Sequence, residues 1–344
     1  MTSDRGIRWG FLPFSQPLSG AKEAQSLLDL ARYLDETAFD GIFFVDHFFL
    51  EGDRYLAEPR DVDKPYQLEC YTTLASFAAV TRRIRVGPLV TPVALRHPSF
   101  IAKMATTIDV FSNGRLILPL GTGWNPREYT SFSFQFDEKF SVRYAKLIEG
   151  AEILRALWTT DGPVTYRGTH YRLEAAPFYP KPVQKPHPPI WFGGSGSKAL
   201  DAVARLGNGW SPAAPHYNAV TPEVYRRGLA TILEKAAAYG RNPEEIERGF
   251  LLNTTISESR SEAWRLAAAN QLRADWKNTP LEQMRESGVL AVGDPEDCIA
   301  HVQRYVDAGV RYVIVCPIPM TVDAAWKMAK LYAEKVIPHV KIRA

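Results

Sequence analysis

The chain has 344 residues, of which 46% are hydrophobic and 12% aromatic, and its net charge is only +3. This apolar content excludes disorder as the main state, and the slight, evenly spread charge gives no reason to expect nucleic-acid or membrane binding. Cys70, Cys298 and Cys316 lack Cys-x-x-Cys spacing, which excludes a disulfide scaffold and favours a cytoplasmic location. No apolar run reaches the about 18–20 residues of a transmembrane helix, and no signal peptide is expected at the N-terminus.

Short β-branched or aromatic runs alternate with longer amphipathic runs, which is typical of βαβ units and a parallel sheet. In chain order, the predicted strand and helix pairs are Ile7–Phe14 with Ala21–Glu36, Gly41–Phe49 with Tyr71–Thr81, Ile84–Val93 with Pro98–Val110, Leu116–Leu120 with Val142–Trp158, Pro189–Gly193 with Ser197–Leu206, Gly209–Ala213 with Pro222–Tyr239, Phe250–Ile256 with an irregular stretch Ser259–Ser287 and then Asp294–Ala308, and Arg311–Pro317 with Ala324–Val340. Doubly wound folds usually have five or six strands, so eight predict a closed (β/α)8 TIM barrel.

One segment interrupts the alternation. Gly162–Pro189 holds seven of the 25 prolines, a density that forbids helix and central strand. We therefore predict a single domain over residues 1–344 with an insertion here, containing a short hairpin within Val164–Glu174 and an extended arm. We expect this insertion to contribute to a lid, with His170 and His187 at the surface or in that lid.

Active sites of such barrels lie at the carboxyl ends of the strands. This rule selects the following candidates: Asp46, His47, Thr91, Gly121–Glu128, Gly193–Ser197, Ser211, His216, Asn253, Thr254 and Cys316.

His47 is the sharpest candidate because Asp46-His47 interrupts an apolar run at a strand end. Histidine titrates near neutrality, so it can give or take a proton at working pH. Asp46 could fix the imidazole tautomer or bind a ligand donor. The alternative is a buried histidine held by backbone hydrogen bonds.

Two glycine-rich turns follow predicted strands. Gly193–Ser197 precedes a helix, whose N-terminal N–H groups suit a phosphate, although a tight turn with a serine N-cap is equally compatible. Gly121-Thr122-Gly123 would let a flat ring pass close, and Trp124 could stack on it or serve as a core aromatic.

Motifs for other chemistries are missing. The seven histidines are scattered without metal-ligand spacing, and His97 before Pro98 is typical of the start of a helix. No Walker A, Rossmann or nucleophile-elbow motif is present.

Several motifs in a fixed order carry a family resemblance. They are RHPSFIAKMATTIDVFSNGRLILPLGTGWNPREY (Arg96–Tyr129), KPVQKPHPPIWFGGSGSKAL (Lys181–Leu200), GNGW (Gly207–Trp210), and VGDPEDC with YVDAGVRYVIV between Val292 and Val315. Through them the chain resembles the bacterial luciferase-like flavin-dependent oxidoreductases over nearly its whole length.

The resemblance implies a barrel that holds an isoalloxazine or deazaflavin ring over its strand ends. It implies a non-proline cis peptide near Leu89-Val90 that supports the ring, and a phosphate site at Gly193–Ser195. The implied cofactor-binding residues are Asp46, Leu89, Val90, Thr91, Thr122, Gly193, Gly194 and Ser195, and the implied catalytic residues are His47 and Trp124.

Asp46-His47 is similar to the strand-2 ending of members that use the deazaflavin coenzyme F-420, whereas FMN members more often show Glu-His. The resemblance thus favours hydride transfer between coenzyme F-420 and a small organic substrate, with His47 as proton donor or acceptor. The sugar-phosphate dehydrogenases of that branch carry Glu where this chain has Trp124, which weakens a glucose-6-phosphate assignment. Glu128 is nearby but offset by four residues.

Two alternatives stay open: an FMN-dependent monooxygenase supplied by a separate flavin reductase, and a non-catalytic flavin-binding barrel. An apolar or aromatic substrate is indicated by a set of phenylalanines near strand ends, which could equally be core or dimer residues: Phe48, Phe49, Phe132, Phe134 and Phe136. The resemblance also implies a homodimer, formed through the helices after strands 2 and 3.

Overall fold

The computed structural model describes residues 6–13, 21–49, 67–212, 220–269, 279–319 and 321–343. The strands are β1 Arg8–Phe11, β2 Gly41–Phe44, β3 Arg85–Pro88, β4 Thr91–Pro92, β5 Leu118–Gly121, β6 Val164–Arg167, β7 Arg172–Ala176, β8 Ile190–Phe192, β9 Gly209–Trp210, β10 Glu247–Ile256, β11 Leu290–Gly293 and β12 Tyr312–Pro317. The α-helices are α1 Ala21–Glu36, α2 Cys70–Val80, α3 Pro98–Phe111, α4 Pro126–Thr130, α5 Phe140–Thr159, α6 Ser197–Leu206, α7 Pro222–Ala238, α8 Arg260–Ala269, α9 Leu281–Glu286, α10 Pro295–Asp307 and α11 Val322–Leu331. No helix in these ranges is long and apolar enough to cross a membrane.

The predicted barrel is confirmed. Parallel strands neighbour one another in the order β3-β2-β1-β12-β10-β9-β8-β5-β4, and an isolated bridge between Val86 and Leu116 brings the two ends of this order together. β4 resumes the path of β3 after two residues, so together they occupy the third strand position. β11, which pairs with the end of β10, is an extra strand.

Large aromatic side chains fill the barrel from inside. Phe43, Trp191 and Tyr312 meet there, with ring centroids 5.3–6.4 Å apart, and all three are buried. Gly41 and Gly209 leave room for them, because a Cβ at either position would collide with Tyr312 or Trp191. This plug fills the lower barrel and separates the space at the carboxyl ends of the strands from the opposite end.

Arg115, which precedes β5, connects this strand to the segment between α2 and β3. Its guanidinium donates to the carbonyls of Ala78, Thr81, Ile84 and Ser112 and to the Thr81 hydroxyl, at 2.6–3.0 Å. All five guanidinium N–H donors therefore have acceptors on backbone or side chain. Arg115, which ends the sequence Ser112-Asn113-Gly114-Arg115 within the motif Arg96–Tyr129, is thus a structural clamp. It lies beside the bridge that closes the barrel.

The insertion contains the expected hairpin, formed by antiparallel β6 and β7. It packs outside the barrel: the backbone N–H groups of residues 169–171 donate to Glu149 of α5, and Lys103 of α3 donates to the Tyr179 carbonyl. No residue of 162–189 lines the cavity described below, and a lid role for this segment stays a prediction. The expectation that His187 lies at the surface is wrong, because its side chain is buried and stacks on Trp158.

Two elements escaped sequence analysis because each is too short for a periodic signal. α4 has five residues and is capped by the Asn125 side chain, while β11 is four buried residues between the irregular stretch that ends at Ser287 and the predicted helix that begins at Asp294. The predicted closing helix ends early as α-helix, at Leu331, and continues as a π turn and a 3₁₀ turn to His339.

Replacing Arg115 tests the clamp. Arg115→Ala should lower the free energy of unfolding by about 2–4 kcal/mol, because several carbonyls lose their donor in a part-buried place. Arg167→Ala is the matched control, since Arg167 is exposed and meets only Glu174 at 3.8 Å; it should change stability by less than about 0.5 kcal/mol. Urea denaturation of both variants measures the difference, and equal effects would refute the assigned role.

Candidate functional site

A cavity of about 340 Å³ opens at the carboxyl ends of the barrel strands. Its lining is mostly apolar and comes from every strand position of the barrel. The lining residues are Leu12, Val45, His47, Leu89, Val90, Pro92, Leu120–Trp124, Glu128, Phe140, Tyr144, Leu147, Phe192–Gly194, Ala199, Ala202, Ser211, Leu251, Asn253 and Cys316. A deep apolar pocket with a few polar groups is the usual form of a small-molecule site.

Alternation along strand 2 separates the two residues of the Asp-His pair. Phe43 and Val45 face the barrel interior and Phe44 faces the helices, as period two requires. His47 continues the inner set and lines the cavity. Asp46 falls on the other side, buried behind the cavity wall and outside the lining.

Asp46 is bound by Arg96 rather than facing the cavity. The guanidinium donates to both carboxylate oxygens at 2.8 and 2.9 Å, and its second terminal nitrogen also reaches Glu69 at 3.0 Å. Burial raises the pKa of Asp46, and the Arg96 guanidinium opposes that rise. Burial likewise disfavours charge on Arg96, but Asp46 outweighs it and raises the pKa of the guanidinium. A direct contact between Asp46 and a cofactor stays a prediction.

His47 and Glu128 form a contact that brings two separate loops together. His47 Nδ1 lies 3.0 and 3.2 Å from the Glu128 carboxylate oxygens, and the Phe48 backbone N–H donates to the same carboxylate. Glu128 is 1% exposed, so this carboxylate is held by fixed donors rather than by water. Because a carboxylate only accepts hydrogen bonds, the contact with Glu128 places the proton of the neutral imidazole on Nδ1. Nε2 then carries no proton and is the acceptor of the ring.

The local sequence explains how Glu128 reaches His47. Asn125 caps α4 by accepting from the Arg127 N–H, and Pro126 occupies the first turn, where a missing N–H costs nothing. Glu128 then lies in the first turn of a helix too short to be recognised from periodicity. Sequence reasoning placed Glu128 in the strand-4 loop but did not connect it to His47.

Trp124 stands beside the histidine. Its ring meets the His47 imidazole edge to face, with centroids 5.8 Å apart, and it lines the cavity while 36% exposed. Phe48, Phe132 and Phe134 form an exposed aromatic cluster close by, with centroids 4.9 and 5.4 Å from that of Phe48. Phe49 and Phe136 pack against Phe132 and Tyr129, respectively.

The glycine turn after β8 borders the other end of the cavity. Gly193 and Gly194 line it, and α6 begins three residues later at Ser197. Gly194 has φ +83°, a left-handed conformation that glycine adopts without strain. Ser195 is half-buried and lies outside the lining. The turn and helix start present backbone N–H groups, as an anion site requires.

Two buried polar atoms in the cavity wall have no hydrogen-bond partner among the residues that the structure describes. They are Ser211 Oγ, after β9, and Asn253 Nδ2, in β10. An unpaired buried polar atom is costly, so these atoms point to a ligand with polar edges. Together with the turn at Gly193-Gly194, they fit a cofactor with a polar ring and a phosphate.

A cis peptide bond joins Leu89 and Val90, at the predicted position, and both residues line the cavity. Thr91 follows in β4, but its hydroxyl is 2.7 Å from the Tyr71 hydroxyl, and Thr91 is outside the lining. Thr122 does line the cavity, with its hydroxyl 3.3 Å from the Gly123 carbonyl. The cofactor roles of these residues stay predictions.

Four further residues were singled out in the sequence: Cys316, Thr254, His216 and His97. Cys316 lines the cavity. Thr254 is buried outside it, with its hydroxyl 2.8 Å from that of Tyr332. His216 lies outside the described residues. His97 caps α3, as predicted, by accepting from the Ser99 N–H.

The chain is similar in sequence to known proteins. The family model described as luciferase-like monooxygenase matches residues 9–312. A relative from Microbacterium testaceum named F420-dependent glucose-6-phosphate dehydrogenase is 27% identical over 98% of each chain. One of the same name from Nakamurella multipartita is 25% identical over 97% of each chain.

Solved structures share the fold at lower identity. Monooxygenase RslO1 from Streptomyces bottropensis has a TM-score of 0.80 at 24% identity, covering 97% of this chain and 99% of that one. An F420-dependent secondary alcohol dehydrogenase in complex with an F420-acetone adduct also has a TM-score of 0.80, at 18% identity, covering 98% and 99%.

Removing Arg96 should expose the cost of the buried Asp46. Arg96→Met leaves a buried carboxylate without its counter-charge and should destabilise the protein by about 3–5 kcal/mol. Since Asp46 then loses the opposing influence of Arg96, its pKa rises further and the folded state binds more protons than the unfolded one. Stability of the variant should therefore fall as pH rises above the ordinary Asp range.

Urea denaturation at pH 5 and pH 8 measures this loss. Arg96→Met combined with Asp46→Asn should recover most of it and remove the added pH dependence. A single variant equally stable at both values would contradict the pairing.

Proposed function

We propose, from the premise that the chain belongs to the luciferase-like monooxygenase family, that it transfers a hydride between a deazaflavin coenzyme, F-420, and a small organic substrate. The family prediction and the prediction of an enzyme are confirmed by that membership and by relatives named as oxidoreductases. The observation that carries the proposal is the His47–Glu128 pair beside an apolar, ring-sized cavity.

The described residues suit such a coenzyme. Gly193 and Gly194, with the start of α6, would hold its phosphate, and Ser211 and Asn253 would bond the polar edge of its ring. Leu89-Val90 offers an apolar surface on which the ring could rest. When bound, a deazaflavin supplies a centre that accepts or donates a hydride. The names of both relatives support F-420, although FMN would use similar contacts.

His47 would move the proton that accompanies the hydride. With Nδ1–H bound to Glu128, Nε2 can accept a proton from a substrate hydroxyl or, once protonated, return it to a carbonyl. Glu128 then stabilises the imidazolium and holds its orientation, as the acidic partner does in other histidine dyads. The apolar lining keeps water from the reacting atoms, which strengthens these interactions.

Coenzyme binding tests the first part of the proposal. Titration with coenzyme F-420 and with FMN, followed by fluorescence, should show the tighter complex with F-420. Gly194→Ala should weaken F-420 binding about tenfold, because alanine at φ +83° costs about 1–2 kcal/mol. Gly196→Ala is the matched control, since its φ is −74° and a Cβ there meets nothing within 4 Å.

Binding of FMN without F-420 would favour the monooxygenase alternative with its separate reductase. If neither F-420 nor FMN bound, the cofactor assignment would be wrong.

The proton-transfer roles are tested by two variants. His47→Asn should lower kcat about 10²–10⁴-fold while the coenzyme Kd changes little. Glu128→Gln should lower kcat about 10–10³-fold, because an amide donor can reverse the imidazole tautomer, and it should alter the kcat–pH profile. Glu138→Gln, at an exposed position of the following loop, is the control. Unchanged turnover in His47→Asn would leave the non-catalytic alternative standing.

A homodimer through α2 and α3 is part of the proposal. Phe100 and Phe111 on α3 are 67% and 71% exposed, and burying such side chains favours association. Phe100→Glu combined with Phe111→Glu should yield a monomer in light scattering, whereas Tyr239→Glu at the end of α7 should leave the dimer intact. A wild-type monomer would refute this arrangement.

A further inference from the structure

The described lining of the cavity holds one carboxylate and no lysine or arginine. Among its described lining residues, Glu128 is the only carboxylate, His47 is its partner, and neither lysine nor arginine appears. Arg96, the nearby cation behind the wall, is already engaged by Asp46 and Glu69. An anionic substrate in this space would approach Glu128 with like charge and without a counter-ion, an arrangement that burial makes unfavourable.

The anion-binding feature of the cavity is committed elsewhere. The turn at Gly193-Gly194 lies beside Ala199 and Ala202 of α6, at the end assigned above to the coenzyme phosphate. His47 follows β2 and Glu128 follows β5, whereas this turn follows β8. A phosphate on the substrate would therefore find no lysine or arginine among the described lining residues near the proton-transfer pair.

The cavity wall consists mainly of aromatic and aliphatic groups. Trp124 stands edge to face with the imidazole, and Phe140 and Leu147 of α5 line the same cavity. Tyr144 joins them, although its hydroxyl already donates to the Lys198 carbonyl at 2.8 Å. A substrate body placed here meets ring faces and methyl groups and few free hydrogen-bonding groups.

We infer that the substrate is an uncharged molecule with an apolar, ring-bearing body and a single hydroxyl or carbonyl at its reacting end; this rests on the proposed function. In the oxidising direction the carbinol C–H bond breaks, and its electron pair leaves as hydride to the deazaflavin oxidant. The O–H proton passes to His47 Nε2, and the C=O double bond forms. The reverse reaction uses the reduced deazaflavin and protonated His47.

The test compares matched neutral and charged ligands on the protein loaded with coenzyme F-420. Benzyl alcohol and cyclohexanol represent the predicted class, and 4-(hydroxymethyl)benzoate and glucose 6-phosphate represent anions. Binding is measured by saturation-transfer NMR, and hydride transfer is followed through deazaflavin absorbance. The neutral alcohols should bind at least about tenfold more tightly than the carboxylate and should be oxidised with the higher kcat/KM.

Two variants separate the causes. Glu128→Gln removes the fixed charge, so 4-(hydroxymethyl)benzoate should bind more tightly relative to benzyl alcohol. Trp124→Ala should raise the benzyl alcohol Kd about tenfold and Trp124→Phe should restore most of the affinity, with the coenzyme Kd unchanged in both. Tyr239→Ala, at an exposed residue outside the cavity lining, is the control.

The outcomes distinguish the two proposals. Failure of the coenzyme to bind would overturn the proposed function together with this inference. Coenzyme binding with equal or tighter binding of the anions, or with no binding of the neutral alcohols, would overturn the substrate class and leave the proposed function standing.

Discussion

Two adjacent residues at the end of strand 2 are held from opposite sides, and the candidate site depends on this. Asp46 is bound from behind by both terminal nitrogens of Arg96, and His47 is bound in front by Glu128. Strand alternation turns the two side chains to opposite faces, and the two contacts then keep the backbone between them in place. The imidazole is thereby presented to the cavity in one orientation, with Nδ1 engaged.

The ion pair and the dyad differ in what they contribute. Arg96 and Asp46 carry opposite charges and lie in contact behind the cavity wall. Their electric fields therefore largely cancel inside the cavity. Glu128 lines the cavity itself, and its hydrogen bonds come from His47 and from the Phe48 backbone N–H. The described lining is therefore mostly apolar, and its polar groups include the proton-transfer pair, Ser211 and Asn253. This combination suits a reaction in which one proton moves while bulk water is excluded.

Local signals made most of the fold predictable. α6 was predicted from Ser197 to Leu206 and is observed there, because its apolar positions repeat at helical spacing between a glycine turn and Gly207. β2 was predicted beyond its observed end, to Phe49, because the apolar run continues past the last strand pairing at Phe44. The insertion was recognised from its prolines, but its burial of His187 was not, since stacking on Trp158 joins residues that are far apart in the chain.

The sequence alone determined the barrel class, the family, and His47 as the residue of interest, because periodicity and short ordered motifs are local properties of the chain. The family resemblance also implied the position of the cis peptide at Leu89-Val90, and the glycine turn after β8 was visible in the sequence. Only the tertiary structure decided that His47 pairs with Glu128, that Asp46 pairs with Arg96, and that Ser211 Oγ and Asn253 Nδ2 have no hydrogen-bond partner in the described part of the chain. These pairings join residues 50 to 81 positions apart, and the distance between such groups depends on how barrel strands are arranged, which no local pattern encodes.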